Sequence, residues 1–229
     1  MTGKGSAAKK GQSGASELRA VDGRVPGRRG LATRQRLLDH TAELLATTSY
    51  RDLTVVDIAR EAGTSPATFY QYFPDAESAL VALADELVGE ARERLGRPVR
   101  EGDWSSSAAY ATCEQIAETF MALWDDHRAL LGVIDLASTE GDQRFREIRV
   151  QLLNPLTEAI ADVVDDQRQA GRLPADIDPV ATASVLVAML AQVSGHRYGI
   201  ERYGTTGPEI RRVMSRLLFT GITGRKPPA

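Results

Sequence analysis

Residues 54–73 read TVVDIAREAGTSPATFYQYF, and the fold is decided there. Thr54 opens a helix: its hydroxyl is placed to accept the Asp57 N–H, and the Asp57 carboxylate is expected to reach back to the Thr54 N–H. Val56, Ala59 and Ala62 recur at helical spacing beside Ile58 and give the helix an apolar face. Gly63 supplies the left-handed residue that ends it. Ser65 caps the next helix, and Pro66 takes its first position, where a missing N–H costs nothing. Phe69 and Phe73 lie four apart and anchor this helix to the one before. Pro66, Ala67, Thr68, Tyr70, Gln71 and Tyr72 are left wholly or partly outward. Two short helices about a tight turn, the second polar on its outer face, form the layout of a helix-turn-helix that enters a major groove.

From Thr33 to about Leu95 the chain resembles the N-terminal domain of the TetR family of transcriptional regulators. Ser65-Pro66-Ala67-Thr68-Phe69-Tyr70-Gln71-Tyr72-Phe73 stands as that family's signature run. The resemblance implies phosphate contacts from Thr54, Tyr70 and Tyr72, and base or sugar contacts from Thr64, Ser65, Ala67, Thr68 and Gln71. Pro66 at the head of the helix and Arg34 in the basic stretch upstream complete the expected DNA-facing set. One departure stands out: family members often carry a Lys just after the final aromatic, where this chain has Pro74-Asp75-Ala76-Glu77. Asp75 and Glu77 suit a helix N-terminus instead.

The surrounding chain agrees with an all-α protein of one small and one medium domain. It has 229 residues, 26% charged and 42% hydrophobic, which are ordinary globular values. No apolar run approaches the ~20 residues of a membrane span, and no secretion segment is visible, so the expected address is the cytoplasm and no membrane partner is expected. Residues 1–36 hold nine basic side chains against Glu17 and Asp22, a net +7 that leaves −10 on the remainder of a chain whose total is −3. Gly, Ser, Ala and Lys dominate residues 1–30, which are expected to form a disordered basic arm. Such an arm is either a solubilising tail or a DNA-tracking segment in which Arg24, Arg28 and Arg29 follow the backbone or enter a minor groove.

Helical periodicity predicts a first helix over 33–48, with Leu37, Leu38, Thr41, Leu44 and Leu45 buried, and a long connecting helix over 75–95 that completes a DNA-binding domain of residues 31–95. Gly96 to Asp103, with Pro98 and Gly102, reads as the junction. An effector-binding and dimerisation domain of residues 104–222 follows, with helices near 105–125, 127–138, 143–170, 179–198 and 208–220. Pro155 is expected to bend the third of these, and residues 223–229 are expected to be a disordered tail.

The 179–198 helix is apolar on more than one face. It is either a central core helix or one that packs its own domain on one side and a second subunit on the other. The family resemblance implies a homodimer, with Val185, Met189 and Val193 facing Ile210, Val213, Met214 and Leu217 of the last helix across a two-fold axis. It also implies a regulator, most often a repressor, whose hold on a palindromic operator responds to a small molecule. Tyr110, Cys113, Ile116, Phe120 and Trp124 offer one wall for a hydrophobic or amphipathic effector, and Leu131, Leu152 and Leu156 the opposite one. Arg149, Asn154, Gln192 and His196 are candidate orienting groups.

Catalysis has no support in the sequence. His40, His127 and His196 are scattered, and the single cysteine, Cys113, lies among apolar neighbours, so no metal site, no cofactor and no nucleophile is expected. The competing expectation is a constitutive, weakly specific DNA-binding protein without small-molecule control.

Overall fold

The computed structural model describes residues 27–105 and 108–228, and within them the secondary structure is helical with no strand. The order is α1 (Arg28–Leu45), α2 (Val55–Glu61), α3 (Pro66–Phe69), α4 (Ala76–Glu101), α5 (Ala108–Asp126), α6 (Arg128–Glu140), α7 (Gln143–Gln169), α8 (Pro179–Glu201) and α9 (Gly207–Thr223). Helices α1 to α3 form a small head, α4 to α9 form a bundle, and α4 packs on α1 at one end and on α5 and α7 beyond it.

Local chemistry starts and stops these helices. Thr54, Ser65, Asp75, Asp178 and Thr206 each accept a backbone N–H at a helix start, from Asp57, Thr68, Ser78, Ala181 and Glu209 respectively. The reciprocal capping arrangement forms at Thr206 and Glu209. At Thr54 it does not: the Asp57 carboxylate accepts from the Thr54 hydroxyl at 2.5 Å rather than from the backbone, a correction to the expected box. Gly63 turns the chain at φ 64°, as α2 requires for a turn this short.

The head closes on Leu37, Leu38, Ile58, Phe69 and Leu80, all essentially buried. Val56 is exposed, because the stripe that faces α1 is Ile58, Ala59 and Ala62. Helix α1 begins at Arg28 rather than near residue 33, so Arg28 and Arg29 lie in its first turn instead of in a free arm. Arg24 and the rest of residues 1–26 are outside the described residues.

The connecting helix runs six residues past its expected end, straight through Pro98. That proline forfeits the hydrogen bond to the Arg94 carbonyl. The helix continues because Gly96 and Val99 are buried against the bundle, and the Trp104 indole N–H donates to the Val99 carbonyl at 3.0 Å. Helix α7 runs unbroken through Pro155. The C-terminal tail is described through Pro228 and touches the last helix. Thr223 is buried, the Arg225 N–H donates to its hydroxyl, and Arg216 donates to the Pro228 carbonyl at 3.0 Å.

Helix α8 bears on the expectation that no apolar run approaches a membrane span. It is long and apolar enough, by length and composition, to cross a membrane, although only a third of its most apolar window is buried. Ala183, Leu186, Val187, Leu190, Ala191 and Ser194 pack into the bundle against α5, α7 and α9. A core helix with one open face accounts for that composition.

Candidate nucleic-acid interface and effector cleft

Helix α3 is a single α-helical turn, prolonged by successive turns to Phe73 through Tyr70 N–H to Pro66, Gln71 to Thr68 and Tyr72 to Phe69. Phe69 is fully buried and meets Phe73 at 5.5 Å between ring centroids, which fixes the face that α3 presents. On that face Ser65, Pro66, Ala67, Tyr70 and Gln71 are exposed, while Thr64, Thr68 and Tyr72 are half-buried and Thr54 is exposed at the head of α2. Tyr70, with half its surface open, has no side-chain hydrogen-bond partner among the described residues. The Thr68 hydroxyl is held 3.0 Å from that of Ser65, so those two act together at the start of the helix. A rigid turn carrying small and hydroxyl-bearing groups is fit to approach phosphates and base edges.

Arg34 is displaced from the expected set. Its side chain is only 13% exposed, pairs with Glu86 of α4 at 3.2 Å, and lies over the Phe73 ring at 5.2 Å. It ties α1 to α4 and to the Phe73 ring at the end of the α3 turn.

Most of the residues expected to wall an apolar cavity are packed into the core. Cys113, Ile116, Phe120, Leu131, Leu152 and Leu156 are buried within the continuous core, and Tyr110 packs edge-on to Phe219 at 5.7 Å. Burial pushes the Cys113 thiol up to about 12, which leaves it an unreactive thiol near neutral pH. Residues predicted to surround a ligand instead fill one another's space, because aromatic and aliphatic stripes at helical spacing serve a core equally well.

A cleft of about 910 Å³ opens elsewhere, between α6, α7 and α8. Trp124, expected in the apolar wall, and Arg149, Gln192 and His196, expected as orienting groups, line it, but Gly132, Asp135, Leu136, Ser138, Arg146, Val150 and Tyr198 were missed. Trp124 makes its floor, stacked on Phe120 at 5.9 Å. Gly195 of α8 lies so close that a Cβ there would stand 3.2 Å from the indole, so any side chain would push the floor down. Asn154 lies in a separate surface groove against α4. Gly132 of α6 and Gly195 of α8, which carried no expectation from the sequence, give the cleft its room.

The cleft is wired to the head. Glu140, which ends α6, accepts from the Tyr50 hydroxyl at 3.0 Å and pairs with Arg51, both in the α1–α2 connection. Arg144 in the first turn of α7 pairs with Asp142 and with Glu77 of α4, each at 2.7 Å. The adjoining Arg144 guanidinium holds the Asp142 carboxyl down to about 2. At the other end of α6, Arg94 of α4 binds Asp126 at 2.9 Å and Glu90 binds His127 at 3.0 Å. Arg197 of α8 reaches Asp125 at 2.7 Å. Thus α6, one wall of the cleft, is tied at one end to the head and at the other to the connecting helix.

The open faces of α8 and α9 carry Val185 at 69% exposure, Val213 at 54% and Leu217 at 49%, with Met189 and Val193 half-buried beside them. Ile210 and Met214 of the expected interface are instead buried inside the protomer, since they occupy the stripe that α9 turns toward α5. Among the described residues no three His, Cys, Asp or Glu side chains converge on a metal-sized point.

Comparison with known proteins places these features together. Residues 37–83 match the model for bacterial regulatory proteins of the tetR family, and residues 95–229 match the model for the tetracyclin repressor-like C-terminal domain. The chain is 25% identical over 214 residues to the HTH-type transcriptional regulator EthR of Mycolicibacterium smegmatis, covering 93% of this chain and 97% of that one. It is 31% identical over 159 residues to EthR of Mycobacterium tuberculosis, covering 56% and 73%. Among solved structures, the transcriptional regulator FadR from Bacillus subtilis in complex with stearoyl-CoA superposes with a TM-score of 0.63 at 17% identity, covering 83% of this chain and 98% of that one. The last similarity concerns the fold.

Proposed function

As the chain belongs to the TetR family of transcriptional regulators, we propose that it is a dimeric, effector-released repressor whose α3 faces enter successive major grooves of a palindromic operator. The α3 turn and its flanks supply Thr64, Ser65, Pro66, Ala67, Thr68, Tyr70 and Gln71 to the DNA, joined by Thr54 and Tyr72. Two heads on a two-fold axis, roughly 34 Å apart, multiply their modest affinities. The apolar stripe of Val185, Met189, Val193, Val213 and Leu217 is the surface that brings them together, since exposed contiguous apolar surface of this kind marks an interface.

The observation that carries effector control is the double attachment of α6. A molecule entering the α6/α7/α8 cleft moves a wall whose end, Glu140, holds Tyr50 and Arg51 in the head, and whose start is tied to Glu90 and Arg94 of α4. Displacing α6 therefore changes head spacing, and by linkage DNA disfavours the effector as much as the effector disfavours DNA. The EthR relatives are named as transcriptional regulators, and the FadR neighbour was solved with an amphipathic thioester. The first supports a transcriptional regulator, and the second supports control by a small molecule over a constitutive binder. Operator DNA as the partner is in keeping with a cytoplasmic address.

The test is a labelled duplex selected for tight binding, titrated with a panel of amphiphiles. At least one should release the duplex from the wild-type protein and not from Gly132→Leu, whose added side chain points into open space at the cleft. A panel that neither releases DNA nor raises the melting temperature would favour the constitutive binder.

A further inference from the structure

Within the cleft, polar chemistry is unevenly satisfied. The Ser138 hydroxyl on the α6 wall is buried, the residue being 9% exposed, and has no hydrogen-bond partner. Several helical hydroxyls elsewhere in the bundle donate to the carbonyl four residues earlier, as Thr139, Thr157, Ser184 and Ser215 do at 2.7–3.1 Å. The buried Ser194 hydroxyl of α8 also lacks a partner but lies outside the cleft lining. Ser138 makes no such bond, and a buried donor without an acceptor is costly. Beside it, the Arg146 Nε donates to the Ser138 carbonyl at 3.0 Å, which fixes the guanidinium at the cleft wall. Arg128 and Arg149 are each paired with a carboxylate at 2.8 Å, Asp125 and Asp135. Arg146 has no carboxylate partner among the described residues. Asp135 is the one acid on the lining, against three arginines.

We propose that the cleft takes an amphipathic anion, its carboxylate or phosphate oxygen accepting from Arg146 and from the orphaned Ser138 hydroxyl, and its apolar body lying between Trp124, Leu136 and Val150. This rests on the cleft being the effector site and specifies its chemistry. A guanidinium anchored by its own wall presents a fixed fork to an oxyanion. A neutral apolar molecule would leave the Ser138 donor unpaired and bury Arg146 without a counter-charge. A cation would meet an excess of positive charge.

The experiment uses the full-length protein with Trp104→Phe, which leaves Trp124 as the sole tryptophan, and follows its fluorescence. Four probes with ten-carbon chains are titrated: decanoate, decyl phosphate, decanol and decyltrimethylammonium. At least one anion is expected to bind roughly tenfold or more tightly than decanol. Whichever anion binds better identifies carboxylate or phosphate as the natural head group. Arg146→Gln should erase the margin, Arg146→Lys should keep part of it, and Ser138→Ala should narrow it while altering a single buried oxygen. If decanol or the ammonium probe binds as tightly as the anions and Gly132→Leu abolishes that binding, the effector site stands and the anion proposal is overturned. Binding that Gly132→Leu leaves intact, or no binding by any probe, overturns both.

Discussion

Arg34 and Tyr70 show what a single position in the sequence discloses. Both were expected at the DNA, since one is basic near the head and the other sits in the signature run. Arg34 instead bridges Glu86 and the Phe73 ring, whereas the Tyr70 ring is half exposed on the α3 face. Caps were legible because a cap is a contact between residues two or three apart, and Ser65 and Asp75 lie where their spacing put them. The partner of Arg34 is 52 positions away, so no local pattern revealed it. Arg34→Ala should lower stability by roughly 1 kcal/mol, discounted for the partly exposed Glu86. It should leave the salt dependence of DNA affinity unchanged; a shallower slope in a salt titration would return Arg34 to the interface. Tyr70→Phe should do the opposite, weakening operator binding by about 1 kcal/mol while the melting temperature holds.

At the scale of elements, the helices themselves were readable from periodicity and the errors fell at their ends. Pro98 looked like a boundary, but burial of Gly96 and Val99 carried α4 through it to Glu101. The expected cavity was a core because periodicity identifies an apolar face without saying whether the opposing face fills it. The cleft depends on glycines and helix separations that no stripe encodes. The contacts at the two ends of α6 yield a direct test. Glu140→Arg sets a cation against Arg51, and hydrogen exchange should quicken at Tyr50 to Leu53 while the α8 core amides stay protected. Equal protection in both proteins would remove Glu140 from the transmission path.

The acidic helix starts predict a pH response. Asp57 is held low chiefly by the Thr54 hydroxyl, Asp75 by Ser78, and Asp142 by Arg144, the last from 3.8 to about 2. Because these folded-state values lie below the unfolded one, their contribution is complete above about pH 4 and is lost as pH falls toward 2. The urea midpoint should owe no change to these groups between pH 7 and 5 and should drop at pH 3. Replacing Asp57, Asp75 and Asp142 with Asn together should flatten that acid limb.

For the whole molecule, the two-sided character of α8 raised two possibilities, a wholly buried core helix or a helix shared with a second subunit. Val185, Val213 and Leu217 are open while Ile210 and Met214 are enclosed, which divides the expected interface into surface and core. Leu217→Glu should therefore give a folded monomer that no longer retains a palindromic duplex. Ile210→Glu should unfold the protomer, since it buries an unpaired charge. Sedimentation and thermal unfolding of the two variants separate these outcomes, and a Leu217→Glu dimer would place the interface on another face.

The most direct test of a sequence-specific dimeric regulator is selection from random duplex DNA by the purified protein at physiological salt. Sequencing of the bound fraction is expected to yield a palindrome whose half-site centres lie about one helical turn apart, roughly 10 base pairs. Retained DNA with no shared site would contradict it and leave a weakly specific binder.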